Sequence, residues 1–138
     1  MAKGIFDITV RAVAKVLDLQ MAKHTVLASN IANKDTPGYQ AADIKFNTEV
    51  QKALERERAP LGRTNPASRY NRSGPRIEDV RAERVDRPMP LVGKDLNNVH
   101  LEKEMTELVS NTLSYKANVQ MISKKLAMLS YAITEGGR

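Results

Sequence analysis

The chain has 138 residues, which suits one domain. Hydrophobic residues make up 41% and charged residues 28%, an ordinary globular balance that excludes a chain disordered throughout. The absence of cysteine excludes disulfides, zinc–thiolate sites and thiol catalysis, while the net charge of +6 raises nucleic acid or another anion as a partner.

Aromatic residues are scarce, so a core must come from Leu, Ile, Val, Met and Ala, which suits helix packed on helix. No run of 18 apolar residues occurs, which predicts no membrane insertion. Lys3, Asp7, Arg11, Lys15 and Asp18 interrupt the N-terminal apolar residues, so no cleaved signal peptide is expected. Export, if it occurs, would use another route.

Residues 5–32 predict a long helix free of Pro and Gly. Val10, Ala14, Leu17, Met21, Ala28 and Ile31 follow alternating spacings of four and three, with His24 in the same register. Val13, Val16, Leu19, Val26 and Leu27 widen this stripe, so the helix needs neighbours on more than one side. His24 is expected to be partly buried or to make a polar contact between subunits.

The helix runs into residues 28–39, ASNIANKDTPGY. Asn30 and Asn33 are three apart, so their amides share a face and can reach the free carbonyls of the helix end. Asn33 tolerates the left-handed conformation that ends many helices. Thr36-Pro37-Gly38-Tyr39 fits a type II turn, with Pro37 fixing φ and Gly38 accepting a positive φ. Tyr39 can lay its ring over the seam while its hydroxyl finds a polar partner. Read on physics alone, the segment is a helix stop followed by a turn.

Residues 33–98 hold all six prolines. Within them, 48–57 predict a short helix opened by Asn47 or Thr48. Residues 58–76 are poor in apolar side chains and predict a long irregular loop. Over residues 56–76, Arg56, Arg58, Arg63, Arg69, Arg72 and Arg76 face Glu57 as the only acid. That stretch reads first as a solvated loop, then as a surface for an anionic partner, and last as a reader of nucleic acid. No zinc-finger, helix-turn-helix or RNA-sheet signature accompanies it. Residues 77–86 fit a strand or a turn of helix equally well.

Residues 99–134 predict a longer helix. Leu101, Met105, Leu108, Thr112, Tyr115, Val119, Ile122, Leu126, Leu129 and Ile133 hold the four–three alternation throughout, with one polar exception. That is a coiled-coil seam. Asn97 or Asn98 can cap its start, and Gly136 and Gly137 mark its end. Glu102, Glu104 and Glu107 near the start and Lys124 and Lys125 near the end complement the helix dipole. The expected fold is mainly α: the two terminal helices, 1–33 and 99–138, pack as one discontinuous coiled-coil domain. Residues 34–98 form a loop-rich central segment with a short helix and a possible β-hairpin. Two helices cannot cover this much apolar surface, so the remaining burial should come from other subunits.

No catalytic constellation is visible. His24 and His100 have no partner at metal-ligand spacing, and the carboxylates are scattered beside basic neighbours as on solvated faces. There is no phosphate-cradling glycine loop, nucleophile elbow or zinc-protease motif. The chain is therefore expected to be no enzyme and to bind no cofactor or metal.

The segment Ser29-Asn30-Ile31-Ala32-Asn33-Lys34-Asp35-Thr36-Pro37-Gly38-Tyr39 resembles the signature that follows the N-terminal helix in the rod and hook proteins of the bacterial flagellum. Asn98-Val99-His100-Leu101-Glu102-Lys103-Glu104-Met105 and Tyr115-Lys116-Ala117-Asn118 resemble that family's C-terminal motifs. His100 stands where an Asp is usual, so Asn98 would take over the cap or the first turn would fray. The short length resembles the proximal-rod members of the basal-body rod family. The resemblance implies a structural subunit of the proximal rod, in a helical tubular drive shaft around the export channel. It implies partners: copies of the chain, other rod proteins, the rod–rotor-ring junction and, during export, the flagellar type III apparatus. It places the chain in the periplasmic part of the basal body, with no nucleic acid bound. The motif residues are then Asn30, Asn33, Thr36, Pro37, Gly38 and Tyr39. The assembly seams are Val10, Leu17, Met21 and Ile31, with Met105, Leu108, Tyr115, Val119, Ile122, Leu126, Leu129 and Ile133. Two other readings stand beside it: a small coiled-coil adaptor or export chaperone, and a basic nucleic-acid-binding protein.

Overall fold

The computed structural model describes residues 8–58, 75–88 and 96–135. Helix α1 spans Ile8–Ala32, and strand β1, Ala42–Lys45, leads into helix α2, Asn47–Arg58. A 3-10 turn at Ile77–Asp79 precedes strand β2, Glu83–Asp86, and helix α3 spans Leu101–Glu135. Most of the arginine-rich loop, with Arg63, Arg69 and Arg72, lies outside the described residues. So do the first residues expected in the N-terminal helix and the stop at Gly136 and Gly137.

The helices form where the four–three apolar spacing predicts them. In α2, Glu49 accepts a hydrogen bond from Lys52 at 2.8 Å, and that bond, with the carboxylate's charge, raises the lysine pKa above its ordinary value. The 77–86 segment satisfies both of its readings in turn, first the 3-10 turn and then β2. Strand β2 pairs antiparallel with β1, from Ala42 opposite Asp86 to Lys45 opposite Glu83. Their separation in sequence makes them a long-range pair rather than a tight hairpin.

Helices α1 and α3 pack antiparallel: Asn30 meets Glu104, while Gln20 meets Asn111 and Asn118. Yet the apolar core lies on a different side of α1. Ala12 and Leu19 join Val50 and Ala53 of α2, Ile77 and Val80 in one buried cluster, flanked by Val16, Phe46, Leu54 and Ala82. So α1 is sandwiched, as its wide stripe requires: the central elements cover one side and α3 another. No helix among the described residues is long and apolar enough to cross a membrane.

His24 is exposed in the single chain, not partly buried, because α3 and the central elements occupy other faces of α1. Neither Asn97 nor Asn98 caps the first turn of α3. His100 holds the cap position, its carbonyl accepting from the Glu104 amide at 3.0 Å. Both asparagines are drawn away by carbonyls of the central chain. Nor does Asn33 turn left-handed. Among described non-glycine residues only Leu96 has a positive φ, at 48°, and α1 instead ends in a tightened last turn.

Candidate functional site

Asn30 closes the C-terminal end of α1, and its side chain is fully buried. Its Nδ2 donates to the Ala42 carbonyl and to Glu104 Oε2, both at 2.8 Å. Its Oδ1 accepts from the Ala42 amide at 3.1 Å and from the Tyr39 hydroxyl at 3.3 Å. The carboxamide thus pairs with Ala42 in both directions, as a neighbouring strand would. This joins the end of α1 to the start of β1.

Between them lies the turn. The Tyr39 amide donates to the Thr36 carbonyl at 3.2 Å, and Gly38 has φ +72°. That is type II geometry, which requires the glycine. Asn33 Nδ2 donates to the Ser29 carbonyl at 2.9 Å, and Thr36 Oγ1 lies 3.3 Å from Asn33 Oδ1. Tyr39 also brings its hydroxyl within 3.2 Å of Ser29 Oγ. Pro37 is exposed beside it.

The segment before α3 clamps this turn. Asn97 Nδ2 faces the carbonyls of Asn33, Lys34 and Thr36 at 2.9–3.0 Å. Asn98 Oδ1 accepts from the Ala41 amide at 2.6 Å, and its Nδ2 donates to the Arg87 and Pro88 carbonyls. Each asparagine satisfies backbone groups that the turn and strand ends would otherwise leave unpaired.

At the centre is a charge. Glu104 is fully buried, paired to Arg87 Nη1 on one oxygen and to Asn30 on the other. Arg87 Nη2 lies 3.9 Å from Glu107 Oε1, and Lys23 reaches Glu107 at 3.4 Å and Asp43 at 4.0 Å. Signs alternate along this chain of groups. Glu104 corrects the expectation that all carboxylates sit on solvated faces. Its helical neighbours resemble a surface, but β2 delivers Arg87 against it from another part of the chain. The C-terminal motif contained this glutamate, and that was the only signal in the sequence. Nothing marked Arg87.

The seam residues separate into two sets. Leu108, Tyr115, Ile122 and Leu129 are half-buried, whereas Met105, Val119, Leu126 and Ile133 are exposed. A two-helix pairing covers one of the two heptad positions and leaves the other open. On α1, Val10 is buried, Leu17 and Ile31 are half-buried, and Met21 is exposed. Further along, buried Gln20 accepts from Asn111 and Asn118 of α3. No cluster of His, Cys, Asp or Glu able to hold a metal ion occurs among the described residues. The arrangement ties chain segments together and leaves an apolar helix face uncovered.

The family profile described as flagella basal body rod protein matches residues 17–40, the end of α1 and the turn. The chain is 30% identical over 122 residues to the flagellar basal body rod protein FlgB of Salmonella typhimurium, covering 87% of this chain and 88% of that one. It is 29% identical over 136 residues to FlgB of Escherichia coli, covering 94% and 96%. FlgB of Borrelia hermsii is 31% identical over 122 residues, covering 85% and 90%. The matches span both terminal helices and the polar knot between them, and the chain belongs to the flagellar basal-body rod protein family.

Proposed function

We propose that the chain is a structural subunit of the proximal rod, built to complete its packing only among other subunits. One observation carries this reading. Among the described residues, all exposed large hydrophobic side chains except Met21 and Leu96 lie on α3. A stable monomer rarely leaves so long an apolar face open. Copies of the chain and other rod proteins cover it through the α1 and α3 seams, in a helical tube that carries torque around the export channel. At its base this tube meets the rotor ring. The chain travels unfolded through the flagellar type III apparatus and acts in the periplasmic space. Its role is mechanical: it catalyses nothing, binds no cofactor and inserts in no membrane.

Mass spectrometry of hook–basal bodies purified from the source bacterium tests this. A few copies per particle are expected. Absence, with the other rod proteins present, would overturn the reading and leave the adaptor reading to be tested next.

A further inference from the structure

Besides the exposed seam residues of α3, uncovered apolar surface falls on two different faces. One is a groove of about 200 Å³ between α1 and α3, walled by Met21 and His24 on one side and Thr112 and Tyr115 on the other. It opens on the side of α1 away from Ala12, Val16 and Leu19, which pack on the central elements. The second face is a ridge on α3 formed by Val109, Leu113, Met128 and Tyr131, all about two-thirds exposed. At 3.6 residues per turn these four fall within an arc of roughly 100°. That arc points away from Asn111 and Asn118, which reach α1.

We propose that the ridge of one copy seats in the groove of the next, an inference that rests on the rod-subunit reading. A groove between two packed helices accepts the side-chain ridge of a third. Because ridge and groove are different surfaces, the contact is heterologous. Such a contact need not close on itself and propagates a helical array. Two ridges meeting would give a closed dimer and leave both grooves empty. Charge also opposes that alternative. Residues 108–134 contain three lysines and no carboxylate, so paired ridges would bring like-charged residues of the two copies together with no acid between them. The groove side instead offers the exposed Asp18 of α1.

The cysteine-free chain makes the test clean. The full chain carrying Met21→Cys with Leu113→Cys is expressed in the source bacterium, and basal bodies are purified after mild oxidation. A ladder of dimers, trimers and higher species of this chain is expected, with no ladder from either single variant. His24→Cys with Ala117→Cys should behave alike and covers loss of the first pair through misfolding. Dimers from a single variant would overturn the proposal, as would a cross-link from position 113 to a different rod protein. Basal bodies that contain the doubly substituted chains but give no ladder would also overturn it. If the unsubstituted chain is missing from basal bodies, the rod reading itself falls, which is a distinguishable result.

Discussion

Asn30 and Glu104 are 74 residues apart and share a hydrogen bond of 2.8 Å, with both side chains fully buried. One ends α1 and the other opens α3, so this bond sets the register between the terminal helices. It is also the point where the two terminal motifs meet. A charged acceptor in a dry site holds its donors strongly, because neither has water to fall back on.

Removing the Glu104 carboxylate should therefore be costly. Glu104→Ala leaves the Arg87 guanidinium without its main partner and Asn30 with only the Ala42 carbonyl as acceptor. A loss of about 3–5 kcal/mol is expected. Glu104→Gln keeps an acceptor for Asn30 and should lose less. Melting followed by far-ultraviolet circular dichroism would show the order, and equal melting of the two variants would contradict it.

Asn30→Asp replaces a donor with a second carboxylate facing Glu104. The hydrogen bond becomes a repulsion and the Ala42 carbonyl loses its partner. The expected cost is about 2–4 kcal/mol, with the cost of the unmet groups at the core of it. Lowering the pH to protonate one carboxylate should recover part of the loss. A variant whose melting does not respond to pH would argue against the repulsion.

Gly38 isolates a backbone effect. It has φ +72°, and a Cβ built there meets nothing within 4 Å. Gly38→Val is thus not opposed at its Cβ, and its main cost is the left-handed strain of a β-branched residue, about 1–2 kcal/mol. Gly38→Asn should cost less, since asparagine visits that region more readily. Equal melting temperatures for the two variants would contradict the turn assignment.

Leu126→Asp separates folding from assembly. Leu126 is 43% exposed in the single chain, so the substitution should change monomer stability by less than about 0.5 kcal/mol. In the rod the same position would bury an unpaired charge, and incorporation should fail. Soft-agar motility with the variant reads this directly; normal swarming would mean that this part of the seam faces solvent in the rod.

Legibility differed between helices and knot for a physical reason. Helix periodicity is local, so Leu101 to Ile133 announced α3, and the rigid preferences of Pro37 and Gly38 announced the turn. Residue order was enough for the helical class, the turn and, through its motifs, the family. Which heptad position is covered could not be read, because Leu108 and Met105 are equivalent until α1 approaches from one side. The same holds for Arg87, Asn97 and Asn98. Each looks like an ordinary surface or capping residue, and only the crossing of β1, β2 and the α3 entry gives it distant partners. Tertiary structure alone decided those roles, since a polar group's partner is set by the unpaired atoms brought to it from distant parts of the chain.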